Sequence, residues 1–405
     1  MNVLMLTHHI PHPLTDGGRI RDFNVLRRMA ASNQVTLCCF TSEPRMSEAV
    51  EAIEALGVSV VGVSRQRRIA VDLGWSLLAR KPYHTVADGR QSMHDAVSSA
   101  AMAGPIDVVY CSFLLSMAQY LPEVPRTAIR VLDQHNLDHV VWNRAAHADP
   151  SMFRRLVSRA VASSVTRYER QHLGDFDLIF SVSDSDLEGT SRLIDSETLA
   201  RLAPNGVDLD YFAAAGDPPE NNQDVVFVAS MDMRMNSDAV AWFVREIWPT
   251  VRAEIPLARF WAVGRGPTAE VLGLHNGLDL NVTGTVPDVR GYLKQASVVV
   301  VPSRLGGGTK LKVLEAMAAA RPIVATSVGV QGIDAIDGRD LLVADSPSAY
   351  ADAVVRVLRD RALARSLGAN ARAAVEANYG WDAIWSRMEL EIRGVLDARH
   401  ARGSP

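Results

Sequence analysis

The stretch "SVVVVPSRLGGGTKLKVLEAMAAARPIVATS", Ser297 to Ser327, decides how this chain folds. Four consecutive valines, Val298 to Val301, make a strand buried on both faces, because no polar side chain alternates with them. The glycines that follow suit a loop, "TKLKVLEAMAAA" has helical texture, and "RPIVATS" returns as a second buried strand. Strand, loop, helix, strand is the repeating unit of a parallel sheet covered by helices.

Working outward, the same alternation fills the chain. "NVLML", "QVTLCCF", "GVSVVGV", "IDVVYCS", "TAIRVLD" and "FDLIFSVS" precede a turn-rich segment, "AAAGDPPENNQ" (Ala213 to Gln223). "DVVFVAS", "ARFWAVG", "LDLNVTG", "SVVVVPS", "RPIVATS" and "DLLVAD" follow it. Two doubly wound α/β domains are therefore expected, 1–205 and 206–380. A long amphipathic helix over about 381–400, with Trp381, Ile384, Trp385, Met388 and Ile392 at helical spacing, is expected to pack back on the first. The 405 residues suit two cores rather than one.

A net charge of −4 argues against nucleic acid as partner. Cys38, Cys39 and Cys111 form neither a disulfide framework nor a zinc-spaced set, so a reducing cytoplasm is the expected compartment. No apolar run approaches the roughly 20 residues of a membrane span. The helix "FRRLVSRAVASSVTRYERQHL" carries Arg154, Arg155, Arg159, Arg167 and Arg170. It reads either as a solvated charged face or as a peripheral dock on the inner membrane face.

The chemistry concentrates in loops after strands. Gly306, Gly307 and Gly308 leave backbone amides free to wrap a charged group, and Thr309 and Lys310 open the next helix, where a diphosphate would meet the dipole. Glu315 suits ribose hydroxyls; the alternative is a flexible loop with Lys310 solvated and Glu315 paired. After the first strand, "HPLTDGGRIRDF" brings Gly17, Gly18 and Arg19 to a helix N-terminus, or makes only a tight turn. Gly264 and Gly266 in "AVGRGP" allow the same two readings, and Arg234 is a phosphate contact or a surface ion pair. In "DQHN", Asp133, His135 and Asn136 follow a strand, and a neutral histidine there can hydrogen-bond a sugar hydroxyl or move a proton. His8, His9 and His12 share one loop and are not separable by sequence. Asp208 and Asp210 in "VDLDYF" read as structural, "SVSDSDLE" as a helix N-cap.

In this order, "HHIPHPLTDGGRIRDFN", "DQHN", "RLAPNGVDLDYF", "VGRGP", "TGTVPDVRGYL" and "VPSRLGGGTKLKVLEAMAAARPIVATSVGVQGI" resemble family 4 glycosyltransferases of the GT-B fold, over nearly the whole chain. The likeness is nearest to a bacterial subgroup associated with exopolysaccharide or surface-glycan assembly. It implies a cleft between two Rossmann-like domains, with a nucleoside-diphosphate sugar donor on the second. The acceptor, on the first, is a glycan, a lipid-linked glycan or a small molecule. It further implies retention of configuration, no cofactor and no metal.

By the same resemblance Gly17 and Gly18 line the donor phosphates, Arg234 and Lys310 neutralise them, Gly308 and Thr309 offer amides, and Glu315 holds the ribose. Gly284, Thr285 and Val286 border the base, and His135 takes the place of the cleft histidine. One departure stands out: where relatives carry two glutamates separated by seven residues, the second matching Glu315, the first position in this chain is Gly307, which leaves Lys310 or Lys312 to share the phosphate work. An epimerase of the same fold and a non-catalytic sugar-nucleotide-binding subunit are the rival readings.

Overall fold

The computed structural model describes residues 1–403 apart from 42–45, 66–68, 141, 144–151, 214–215, 217–218, 220 and 306–308. The chain divides into two compact units, Met1–Pro204 with Trp385–Pro405, and Asn205–Ile384. The helix Trp381–Gly403 gives its first turn to the second unit and the rest to the first.

The first unit is built on a seven-stranded sheet: β1 (Asn2–Thr7), β2 (Gln34–Thr41), β3 (Ser59–Ser64), β4 (Val108–Ser112), β5 (Ile129–Gln134), β6 (Leu178–Ser181) and β7 (Leu199–Leu202). The strands lie in the order β3-β2-β1-β4-β5-β6-β7, and every pairing is parallel. Val3 sits opposite both Val35 and Val108, which makes β1 an interior strand. β7 has the sequence "LARL" and was not foreseen. It is a short edge strand with no fully buried side chain, so it lacks the continuous apolar run that marks its neighbours.

The second unit repeats the topology. β8 (Asp224–Val228), β9 (Arg259–Val263), β10 (Leu280–Val282), β11 (Val298–Val301), β12 (Ile323–Ala325) and β13 (Leu342–Val343) lie in the order β10-β9-β8-β11-β12-β13, again all parallel. Its core packs Phe243 against Phe260 with ring centroids 4.7 Å apart. The buried Tyr350 hydroxyl donates to the Val324 carbonyl (2.6 Å) and accepts from the Val301 amide (3.0 Å), which fixes the carboxyl end of β11. The expected α/β class, two doubly wound parallel sheets, is the fold observed.

In each sheet the strand order reverses once, between β1 and β4 and between β8 and β11. Loops leaving such a reversal splay apart, and ligands of open α/β sheets bind there.

Candidate functional site

At the reversal point of the first unit, β1 leads through a histidine-bearing loop into the helix Gly17–Ser32. Asp16 caps that helix by accepting from the Arg19 amide (3.0 Å). Val25, Leu26 and Met29 face the core, and Arg21 and Asp22, one turn earlier on the same stripe, are buried with them. Burying two charges is costly unless each finds a partner. Arg21 forks onto Asp133 at the end of β5 (Nη2 to Oδ1 2.7 Å, Nε to Oδ2 2.9 Å). The Tyr110 hydroxyl of β4 donates to the same carboxylate (2.8 Å), and Arg21 Nη1 reaches the Pro204 carbonyl (3.0 Å).

Asp22 is tied differently. Its Oδ1 accepts from the Ser112 hydroxyl at 2.6 Å and lies 3.3 Å from His135 Nε2, while Ser112 Oγ is 3.2 Å from the same nitrogen. Burial pushes the Asp22 carboxyl up, but the His135 charge and its hydrogen bond outweigh that and hold it at about 2. Burial likewise pushes His135 down, yet Asp22 leaves it raised above the ordinary histidine value. With Nε2 held from behind, Nδ1 faces the first turn of the helix. There a Cβ on Gly18 would lie 3.5 Å from Nδ1 and 3.3 Å from Asp16 Oδ1. Glycine at 18 keeps that approach open beside the unpaired helix amides.

His9 Nε2 is 3.8 Å from the second Asp22 oxygen, and His9 Nδ1 is 2.8 Å from His8 Nε2. Burial leads the lowering of both His8 and His9. Atoms of Asp22, Asp133 and His135 lie within 4.8 Å of one another, the spacing of a metal-ligand set. The Arg21 guanidinium already occupies both Asp133 oxygens, so the cation this cluster holds is an arginine.

The second unit's reversal point collects cations instead. Arg234 begins the helix Arg234–Trp242 after β8. It is exposed, has no ion pair among the described residues, and lines a depression with Asp232, Asp238, Thr268 and Arg304. After β11, Lys310 is buried and caps the helix Leu311–Ala318. Lys312 Nζ donates to Asn236 Oδ1 (2.6 Å) and lies 4.8 Å from the Phe227 ring centroid, so the two helices meet through it. Burial, then Lys310, brings Lys312 down to about 8; burial takes Glu315, one turn on, up to about 7 against the pull of Lys312. Lysines at a helix N-terminus oppose its dipole, and an anion resolves the conflict.

Among the sequence-expected residues, Gly17, Gly18, Arg19 and His135 are brought together in the first unit, although Arg19 is engaged by Thr15 (3.1 Å) and Asp16 (3.6 Å). Asp133 is not a ligand-facing group, because Arg21 and Tyr110 consume it; Asn136 is exposed. Thr309 Oγ1 contacts the Gly332 carbonyl at 3.4 Å, Thr285 is exposed, and Val286 packs on the core. Gly284 and Gly266 have positive φ (68° and 62°). Gly264 has a structural duty: at φ 143°, a Cβ there would stand 1.8 Å from the Ala229 carbonyl oxygen. Asp208 receives the amides of Asp210 and Tyr211, a turn as expected, and Ser183 caps its helix through the Asp186 amide. Gly306, Gly307 and Gly308 lie outside the described residues. Arg21, Asp22, Tyr110 and Ser112 were not singled out by sequence. The available signal was two charged residues sharing a helix stripe with Val25, Leu26 and Met29.

Residues 222–360 match the family model for glycosyl transferases group 1. An uncharacterized 44.6 kDa protein from the cps region of Klebsiella pneumoniae is 20% identical over 271 residues, 65% of this chain and 68% of that protein. A GDP-mannose-dependent alpha-(1-6)-phosphatidylinositol monomannoside mannosyltransferase of Mycobacterium tuberculosis is 31% identical over 166 residues, 37% of this chain and 43% of that one. Among solved structures, sucrose-phosphate synthase from Thermosynechococcus elongatus superimposes with TM-score 0.70 at 19% identity, covering 98% of this chain and 100% of that one. The fold is thus that of GT-B proteins, and the second unit carries a glycosyltransferase domain, which makes the chain a transferase enzyme.

Proposed function

We propose that this glycosyltransferase moves a sugar from a nucleoside-diphosphate donor held by its second unit to an acceptor hydroxyl held by its first, with retention of configuration. The observation that carries this reading is the gathering of Arg234, Lys310 and Lys312 after β8 and β11, the two strands that flank the reversal point. When the bond between the sugar's anomeric carbon and the diphosphate breaks, negative charge grows on the departing oxygen. Fixed cations and helix amides stabilise that charge more than the intact donor's. The acceptor oxygen bonds to the anomeric carbon on the face the diphosphate leaves, and its proton passes to a phosphate oxygen.

Glu315 accepts from ribose hydroxyls, and Gly284 to Val286 border the base. His135, held by Asp22 and Ser112 through Nε2, uses Nδ1–H to orient a sugar hydroxyl. The neutralising work falls to protein cations, with no bound metal in the scheme. The cytoplasm is the proposed compartment, where nucleotide sugars are available, and surface-glycan assembly is the proposed setting.

The test is thermal stabilisation by a panel of nucleoside diphosphates and their sugars. A ligand specific for the folded state at a hundred times its Kd adds about 2.7 kcal/mol. Stabilisation by one diphosphate and its sugar, lost in Lys312→Ala, supports the reading and fixes the base. An unshifted melt across the whole panel rejects it.

A further inference from the structure

The loop that follows β5 is pinned on both sides of one side chain that has nothing to hold. Leu137 is buried, and its amide donates to Asp186 Oδ1 (3.5 Å) on the helix Asp184–Ser191. A Cβ on Gly189 of that helix would stand 2.3 Å from Leu137 Cδ1, so glycine there makes the socket in which the leucine sits. Two residues on, Glu169 of the helix Met152–His172 clamps His139. The His139 amide donates to Oε1 (3.3 Å), and its Nδ1 lies 2.5 Å from Oε2. The Glu169 hydrogen bond leads the raising of His139, so the imidazolium matches that fully buried carboxylate. Asp138, between the two anchors, is partly buried and has no hydrogen bond or ion pair among the described residues.

The fold thus fixes the backbone of Asp138 and leaves its carboxyl unanswered. Burial, then the Glu169 charge, pushes that carboxyl up to about 7, against the pull of His135 and His139. An aspartate that serves the fold gains stability from its partners, whereas this one costs stability whenever it is ionised. Uncompensated groups of this kind collect at functional sites.

The neighbours indicate the ligand. The four charges that act most on Asp138 are Glu169, His135, His139 and Asp186, with no arginine or lysine among them. Both imidazoles are already committed, His135 to Asp22 and His139 to Glu169. An anionic ligand would meet carboxylates there without a free cation, while a hydroxyl donates readily to a carboxylate. His135, three residues earlier in the same loop, is the group that orients a sugar hydroxyl in the reaction proposed above.

We infer that Asp138 is an acceptor-binding residue, its carboxyl taking a hydrogen bond from a hydroxyl of a neutral saccharide in addition to the hydroxyl oriented by His135. The inference rests on the sugar-transfer reading, and it selects acceptors whose reacting end carries no phosphate or carboxylate.

The test uses full-length protein and the labelled donor that stabilises it most in the nucleotide panel. Transfer is measured to the methyl glycosides of glucose, galactose, mannose and N-acetylglucosamine, and to glucose 6-phosphate, mannose 6-phosphate and glucuronic acid. Wild type is expected to glycosylate a neutral glycoside and none of the anionic sugars. Asp138→Ala should raise KM for that glycoside ten- to a hundredfold, roughly the worth of a charge-assisted hydrogen bond, and leave KM for donor unchanged. Asp138→Asn should lose only a fewfold, because the amide oxygen still accepts. At pH 8 both variants should melt at or above the wild-type midpoint, since the charge they remove has no partner. The inference is overturned if Asp138→Ala keeps the wild-type KM for the glycoside, if KM for donor moves equally, or if both variants melt below wild type. Transfer to anionic sugars alone, or to neither set while the donor still binds, also overturns it. A melt unmoved by every nucleotide strikes first at the sugar-transfer reading and takes this inference with it, so the two failures are told apart.

Discussion

The two units share one strand order, yet their reversal points are wired in opposite ways. In the first, Arg21, Asp133 and Tyr110 close one network, and Asp22, Ser112 and His135 close another, so the formal charges of both acids are matched. In the second, exposed Arg234 has no ion pair among the described residues, and Lys312 leans on an amide and an aromatic ring rather than a carboxylate. The first site has its acids matched without a ligand and offers one oriented histidine edge, although Asp22 Oδ2, His8 Nδ1 and His9 Nε2 are buried with no hydrogen-bond partner among the described residues. The second is electrostatically unfinished, which is what a site for a diphosphate requires.

The largest effect should come from exchanging the two arginines for methionine. Arg21→Met strands the buried Asp133 carboxylate and should cost about 3–5 kcal/mol in denaturant unfolding, because removing one partner of a buried pair leaves an uncompensated charge. Arg234→Met should change stability by less than about 0.5 kcal/mol. It should weaken nucleoside-diphosphate binding on the order of tenfold, as loss of a charge-assisted phosphate contact does. If the two substitutions cost the same in unfolding, the contrast between a closed and an open site is gone.

Asp22→Asn sharpens the comparison from the other side. The raised His135 pKa contributes stability below the unfolded histidine value, and that contribution is lost as pH rises through the folded one. Asp22, held at about 2, contributes above the ordinary carboxyl value and loses its contribution as pH falls toward 2. The pair is therefore whole across mildly acidic pH up to the His135 transition. With asparagine, the largest opposition to burial is gone and only the Asp133 charge still raises His135, so its imidazole titration, followed by NMR, should move down from the wild-type position. Turnover should fall about ten- to a hundredfold with little change in KM for donor. A merely structural Asp22 would lower stability and leave the His135 titration where it was.

This wiring explains what was legible beforehand. Both sheets announced themselves through runs such as Val298–Val301, because a strand covered on both faces has no room for polar alternation. β7 did not, since an edge strand needs only to pair on one side. His135 was readable because it follows a buried strand in a polar loop. Arg21 and Asp22 were not, because the pattern that reveals a helix face counts charged residues as solvent-facing. Only three-dimensional pairing with Asp133 and Ser112, more than 80 residues away in sequence, reverses that assignment.

The smallest effect, and the finest test of the open site, lies in its pH dependence. Glu315 is pushed up to about 7 by burial, and Lys312 is brought down to about 8 by burial and Lys310. If Glu315 holds the ribose as proposed, the hydroxyls donate to the ionised carboxylate, so nucleotide affinity should rise as pH passes through 7 and Glu315 loses its proton. Diphosphate needs the protonated ammonium, so affinity should fall again as pH passes through 8. The result is a narrow optimum between the two, with changes of a fewfold on either side, measurable by titration calorimetry in buffers of different ionisation heat. Glu315→Gln should flatten the acid limb only. Lys312→Arg should flatten the alkaline limb only, because a guanidinium keeps its charge throughout this range. Affinity independent of pH in wild type would mean that neither side chain meets the nucleotide, and the unfinished charge of the second unit would then need another occupant.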